Sequence, residues 1–207
     1  MDASVQTVLD TYHARMRDEE SRMQEALSTG RIGEMRNEVL LPIGPATGQL
    51  VHILVKSLKS PMILELGTSY GYSGIWLADA ARATGGRVVT MELEDYKVKY
   101  AREMSAKAGL ADYVDFKIGD AVQMIAELPH GIDFVLLDLW KELYVPCLDV
   151  FYPKLNPGAI IVADNMLHPP SSADAVAEYR RAVHAKPGIS SVLLPVGSGI
   201  EISRYDA

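Results

Sequence analysis

The chain has one cysteine, Cys147, among 207 residues. No internal disulfide is open to it, which excludes a fold stapled by disulfides and leads us to expect a reducing compartment, the cytoplasm. An excess of positive charge is missing too: 20 Lys and Arg stand against 27 Asp and Glu, a formal net charge of −7. Nucleic acid calls for a basic patch, and here Arg15, Arg17 and Arg22 alternate with acids along one segment, so no nucleic-acid partner is expected. No apolar run approaches the roughly 20 residues of a membrane span. The opening Met1-Asp2-Ala3-Ser4 shows neither the basic region nor the apolar stretch of a signal peptide, so no membrane partner is expected. Repeats and low-complexity tracts are absent. What remains is 48% hydrophobic and 23% charged, ordinary for a soluble globular domain. A chain of this length can bury about 70% of the surface it exposes when unfolded.

Apolar periodicity divides the chain into an amino-terminal extension, residues 1–59, and a core, residues 60–207, within one domain. Val5, Val8, Tyr12, Met16, Met23 and Leu27 recur at helical spacing and predict a long amphipathic helix over residues 4–28. That helix offers a face on which two subunits could pair as a homodimer. A polar segment, residues 30–37, follows. Pro42, Gly44, Pro45 and Gly48 predict a rigid loop before a second helix over residues 49–59. From residue 62 short apolar strands alternate with helices: strands are expected at 62–66, 87–92, 113–118, 132–138, 159–164 and 190–194. Such alternation implies parallel strands with helices on both faces. A last strand, 200–205, follows through a link too short for a parallel crossover, so it should run antiparallel to its predecessor.

The stretch Met62-Ile63-Leu64-Glu65-Leu66-Gly67-Thr68-Ser69-Tyr70-Gly71-Tyr72-Ser73 is an apolar strand that reaches a glycine turn and then a helix. Open α/β sheets bind ligands at the carboxyl ends of such strands. The spacing lacks the G-x-G-x-x-G that brings backbone amides to a dinucleotide pyrophosphate, which disfavours an NAD-dependent oxidoreductase. An acid before the turn repels phosphate but accepts a cation or an amino group. S-adenosylmethionine carries a sulfonium and an α-amino group and no phosphate.

Acidic residues recur where strands end: Glu65, Glu92, Asp138 and Asp164, with Asp120 just past the third strand. In a doubly wound sheet these ends share one edge, so five carboxylates are expected around one crevice, whereas any one of them could simply cap a helix. Glu92 is placed to accept from ribose hydroxyls, and Asp120-Ala121 to meet an adenine. Asp138, Asp164 and Asn165 are hard oxygen donors with no histidine or thiolate nearby, a set suited to Mg²⁺, or to Mn²⁺ or Ca²⁺. Lys141, close to that set, can have its pKa lowered and act as a general base. Trp140 is placed to pack on an acceptor ring. Cys147 and the scattered His52, His130, His168 and His184 need no catalytic role.

From about Leu40 onward these motifs resemble the metal-dependent S-adenosylmethionine O-methyltransferases of the catechol and caffeoyl-CoA type. Glu65-Leu66-Gly67-Thr68 with Gly71-Tyr72-Ser73 matches both branches. Leu137-Asp138-Leu139-Trp140-Lys141-Glu142-Leu143-Tyr144 looks specifically like the catechol branch, and Val162-Ala163-Asp164-Asn165 resembles the second metal segment of both. The resemblance implies a Rossmann-like α/β fold with a seven-stranded, mostly parallel methyltransferase sheet whose last strand is antiparallel. It implies that Ile43, Glu65, Gly67, Thr68 and Ser73 contact the methyl donor, together with Glu92, Leu93, Asp120, Ala121 and Asp138. Asp138, Asp164 and Asn165 would hold the metal. Lys141 would be the base, and Trp140, Lys141, Asn165 and Glu201 would meet a small catechol or phenolic acceptor, Glu201 at its second hydroxyl. Two departures stand out. Ser69 replaces an aromatic residue near the donor sulfur, and Leu41-Pro42-Ile43 replaces a Trp/Met/Asn-containing entrance. A caffeoyl-CoA-like acceptor and a non-catalytic S-adenosylmethionine-binding protein are the competing readings. The former calls for basic residues at the entrance, where only scattered arginines stand.

Overall fold

The computed structural model of the chain describes residues 1–31 and 38–206. Helix α1 (Ala3–Ser28) and helix α2 (Gly44–Lys56) precede the first strand. Strands β1 (Met62–Leu66), β2 (Arg87–Glu92), β3 (Val114–Ile118), β4 (Ile132–Leu137) and β5 (Leu155–Ala163) are separated by helices α3 (Tyr72–Thr84), α4 (Asp95–Lys107), α5 (Ala121–Glu127) and α6 (Tyr144–Phe151). Helix α7 (Ala173–His184), β6 (Ile189–Leu194) and β7 (Ile200–Tyr205) complete the chain.

Among the described residues the strands form one seven-stranded sheet in the order β3-β2-β1-β4-β5-β7-β6. β1 to β5 pair parallel, and β7 runs antiparallel to both β5 and β6. The expected terminal hairpin is therefore present, but β7 is inserted between β5 and β6 instead of adding to the edge. The α7 crossover carries the chain one strand beyond β5, and β7 fills the gap. That insertion makes β7 an interior strand, with Ile200 and Glu201 fully buried.

Parallel strands buried on both faces should read as mainly apolar runs, as β1, β4 and the second half of β5 do. Ile63, Phe134, Ile160 and Val162 face one layer, with Tyr12 of α1, Val51 and Val55 of α2 and Ile75 of α3. Leu64, Leu66, Val135 and Leu137 face the other, with Ile125 of α5, Leu148 and Phe151 of α6 and Tyr179 of α7. The extension thus packs on the first layer as a third tier. Val5, Val8 and Tyr12 of the expected α1 stripe are buried and Met16 packs against them. The side chains of Met23 and Leu27, and the polar segment beyond residue 31, lie outside what is described.

The second helix starts earlier than expected. It begins at Gly44 with Pro45 in its first turn, because a proline there gives up only an N–H that has no intrahelical partner. β5 likewise starts at Leu155, before Pro157 and Gly158, and its register against β4 shifts between Ile132 and Phe134. Proline is tolerated where a ladder is already irregular. No helix of the described residues is long and apolar enough to cross a membrane.

Candidate active site

Between β1 and β4 the strand order reverses direction, and helices leave the sheet on opposite faces. A crevice opens there, where doubly wound sheets bind ligands. Leu40, Leu41, Pro42 and Ile43 form one wall, and Gly67, Thr68, Ser69, Tyr70, Tyr72, Ser73 and Asp138 form the other. Gly67 makes this approach of backbones possible. It adopts φ +102°, and a Cβ there would stand 2.1 Å from the carbonyl oxygen of Asp138.

Glu65, on β1 two residues before Gly67, is fully buried. One carboxylate oxygen accepts from Thr90 Oγ1 at 2.5 Å, while Oε1 has no partner. Burial pushes its carboxyl up to about 7, the Ser73 and Thr90 hydroxyls pull it down, and Glu92 pushes it further up. Thr90 was not among the residues expected from sequence. Its signal is a lone hydroxyl in the apolar strand Val88-Val89-Thr90-Met91, and Thr68 Oγ1 shares it at 2.5 Å.

At the end of β2, Glu92 collects three backbone amides: Ser69 N–H at 2.8 Å, Leu93 N–H at 2.9 Å and Glu94 N–H at 3.1 Å. Gly119 N–H donates to the Glu92 carbonyl at 2.9 Å, which brings Asp120-Ala121 beside Glu92-Leu93. Leu93 and Ile118 are both exposed apolar side chains, Leu93 at 68%. The Asp120 carboxylate is engaged otherwise: it caps α5 by accepting from Gln123 N–H at 2.9 Å. So Glu65, Glu92, Asp138 and Asp164 share the edge with free or backbone-bound oxygens, and the fifth acid is a helix cap.

The ladder continues past the strand ends to set Asp138 beside Asp164. Asp138 N–H donates to Leu66 O at 2.9 Å and Asp164 N–H to Leu137 O at 3.1 Å. Asn165 follows at φ +55°, a left-handed conformation that asparagine tolerates better than most residues. Lys141, in the tight turn Lys141–Leu143, reaches back: its Nζ donates to Tyr144 Oη, lies 3.4 Å from Asn165 Oδ1, and sits 3.9 Å from the centroid of the Tyr144 ring. Tyr144 Oη in turn lies 2.8 Å from Leu137 O and 3.1 Å from Asp164 O. This buried hydroxyl ties the lysine to both acid-bearing strand ends. Sequence reasoning gave it no role, although it stands three residues after Lys141, one turn away. Trp140 is 44% exposed and so is not a core residue.

Electrostatically this corner is under tension. Burial, then the neighbouring Asp164, pushes the Asp138 carboxyl well above the usual range, with Lys141 opposing. Burial raises Asp164 to about 6, against the Asn165 amide and Lys141. Burial lowers Lys141 to about 8, while Asp138, Asp164 and Glu142 hold it up. Both Asp164 carboxylate oxygens are buried and have no hydrogen-bond partner. Buried polar atoms are nearly always paired, so two orphaned oxygens beside a second carboxylate and an amide fit a hard cation. No group of three or more His, Cys, Asp or Glu suited to a metal occurs among the described residues; the donors here are two carboxylates and an amide.

Glu201 does not join this corner. Ile200 faces the first layer, so the alternation of β7 turns Glu201 toward α7. There it is fully buried, accepting from Arg180 Nε at 2.9 Å and pairing with His184 Nε2 at 2.8 Å. Both oxygens are engaged by α7, so in place of the expected contact with an acceptor hydroxyl Glu201 is the shared partner of Arg180 and His184. Cys147 is buried and free, as expected.

A family described as O-methyltransferase matches residues 18–205. The chain is 33% identical over 147 residues to a catechol O-methyltransferase of Mycobacterium tuberculosis, covering 68% of this chain and 66% of that one. It is 28% identical over 177 residues to caffeoyl-CoA O-methyltransferase 1 of Eucalyptus globulus, covering 76% of this chain and 72% of that one. Matches to three catechol O-methyltransferases span 52% to 66% of their lengths. The fold superimposes with a TM-score of 0.78 on a Bacillus cereus O-methyltransferase solved in complex with SAH, at 24% identity, over 100% of this chain and 92% of that one.

Proposed function

Since the chain belongs to the O-methyltransferase family, we propose that it moves the methyl group of S-adenosylmethionine to a hydroxyl of a small catechol-type acceptor, with a divalent cation, Mg²⁺ by preference, beside Lys141. The observation that carries this reading is the corner where Lys141 meets Asp138, Asp164 and Asn165, with both Asp164 oxygens orphaned. Relatives named catechol O-methyltransferase and a fold neighbour that holds SAH support it.

The donor side follows from the chemistry of its residues. Glu65, with one oxygen unpartnered, accepts from the donor's α-amino group. Glu92 accepts from ribose hydroxyls, and Leu93 and Ala121 offer apolar surface to the adenine beside Asp120. Ile43, Gly67, Thr68 and Ser73 would line the methionine portion.

On the acceptor side, a phenol of pKa about 10 is a poor nucleophile at neutral pH. Asp138, Asp164 and Asn165 would hold a divalent cation, whose positive charge would favour the phenolate form of the acceptor. Lys141, in its neutral form, takes the phenolic proton at Nζ. Tyr144 and Asn165 keep that nitrogen aimed at the corner. Trp140 lies against the acceptor ring and excludes water from one side, so that the oxygen and the methyl carbon approach in line.

The test is a methylation screen with catechol, caffeate, protocatechuate and caffeoyl-CoA, each with Mg²⁺ or with EDTA. Turnover of the catechols that EDTA abolishes and Mg²⁺ restores is expected. Full activity in EDTA would remove the cation from the mechanism, and turnover confined to caffeoyl-CoA would shift the acceptor class.

A further inference from the structure

Helix α1 reaches both walls of the crevice through two charged residues. We propose, resting on the assignment of the crevice to the methyl donor, that Arg15 and Glu19 are positioning residues that latch residues 38–43 onto the glycine loop and so set how long the donor stays bound.

Glu19 is an acid at 8% exposure. Its Oε2 accepts from Leu40 N–H at 2.9 Å, across 21 residues, and its Oε1 accepts from Arg15 Nε at 2.7 Å. Arg15 donates from Nη2 to Glu38 O at 3.1 Å. The same guanidinium stacks on the opposite wall, 4.4 Å from the centroid of the Tyr70 ring. One further bond joins the walls, Ser69 Oγ donating to Leu40 O at 3.3 Å, and another ties α1 to the glycine loop, Tyr12 Oη donating to Tyr70 O at 2.6 Å. Leu40 to Ile43 and Ser69 to Tyr70 are among the residues that line the crevice, on opposite sides of it.

Two features show that this arrangement does more than anchor a helix. Val5, Val8, Leu9 and Tyr12 already dock α1 by apolar burial, which needs no buried acid. A charge is hard to bury unless it is paired, and Glu19 spends both oxygens at the strap and its clamp. Next to the bonded amide, Leu41 holds φ +46°, a left-handed backbone that leucine keeps only where its surroundings impose it. With the Glu19 bond removed, the Leu40 amide loses its acceptor and Leu41 its restraint. The strap is then free to relax outward, away from the donor, while the sheet edge that carries Glu65, Glu92 and Asp138 stays in place.

The experiment measures S-adenosylhomocysteine binding by calorimetry and stopped flow, the melting temperature, and hydrogen exchange at the Leu40 amide. Wild type, Glu19→Ala, Glu19→Gln and Arg15→Met are compared. Losing a hydrogen bond to a charged group should weaken binding about 10- to 100-fold in Glu19→Ala, chiefly by faster dissociation, with the Leu40 amide losing protection. Glu19→Gln keeps an acceptor for Leu40 and should recover most of the affinity. Arg15→Met, which spares the buried acid, should bind several-fold more weakly and keeps the test open if Glu19→Ala fails to fold. The KM for S-adenosylmethionine should rise in step, with the acceptor KM and kcat at saturating donor within about twofold. Wild-type affinity in Arg15→Met and Glu19→Ala would overturn the latch. So would equal losses for donor and acceptor that track the melting temperature. A wild-type protein that bound no S-adenosylhomocysteine would instead refute the assignment of the crevice.

Discussion

Replacing Asp164 by asparagine should make the metal-free protein more stable while abolishing its response to Mg²⁺. The Asp164 side chain is 1% exposed, neither oxygen has a partner, and Asp138 is among the charges around it. With its carboxyl held at about 6 by burial, against an ordinary 3.8, the ionised form costs the fold about 3 kcal/mol at pH 8. An acid whose folded pKa is raised destabilises the fold above that pKa, and stability returns as pH falls through about 6 toward 4. Asparagine keeps the shape and removes the charge, but its own amide is imperfectly paired and Lys141 loses a neighbouring anion. A net gain of about 1–2 kcal/mol remains, which is about 2–8 °C in Tm for a chain of this size. Scanning calorimetry in EDTA at pH 8 should show it, and at pH 5 the difference should shrink because wild-type Asp164 is already protonated. At an Mg²⁺ concentration a hundredfold above Kd the wild type gains about 2.7 kcal/mol, the variant far less, and methyl transfer is lost. A variant less stable than wild type in EDTA at pH 8, or an equal Mg²⁺ shift in both proteins, would refute the reasoning.

In the proposed mechanism the neutral form of Lys141 is the base, and burial lowers its pKa to about 8, so kcat/KM for catechol should climb with pH and level off near that value or below it once a cation is bound. Lys141→Met should remove that limb and cost about 10²–10⁴ in turnover, with a smaller loss for nitrocatechols; an equal loss for both acceptors would mean that Lys141 only positions the substrate. Glu201→Ala removes the anion shared by Arg180 and His184. Those two side chains are about half exposed and can be rehydrated, so denaturant titration should show a loss of about 1–3 kcal/mol, with acceptor KM and the ratio of meta to para products unchanged. An altered product ratio would return Glu201 to the acceptor site. Gly67→Ala puts a methyl group 2.1 Å from the Asp138 carbonyl oxygen at φ +102°; S-adenosylhomocysteine and Mg²⁺ binding should both fall at least tenfold, and normal calorimetric affinities for both would contradict the close approach.

Some features were legible without coordinates because they are local. Short, mainly apolar segments bounded by turn residues mark strands, so β1 and β2 fell at residues 62–66 and 87–92, and the short glycine-containing link after β6 set β7 at 200–205. The acids at the ends of β1, β2, β4 and β5 could be placed on one edge because parallel strands joined by right-handed crossovers all point the same way. Gly67 could be read as a turn glycine, while the atom it makes room for, just past a strand and 71 residues further along, could not.

By itself the sequence determined the alternation of strands and helices, the acid-bearing edge and the side-by-side placement of Asp138, Lys141 and Asp164. Each of these follows from spacing along one segment or from the common direction of the strands. Only the tertiary structure decided that β7 enters between β5 and β6, that Glu201 turns to α7, that Asp120 caps α5 and that Glu19 holds Leu40 from a helix outside the sheet. Those are choices of partner between segments far apart in the chain. A carboxylate has the same local signature whether it faces a crevice, a helix end or a buried cation, and what settles its role is which neighbour the packed layers bring within 3 Å.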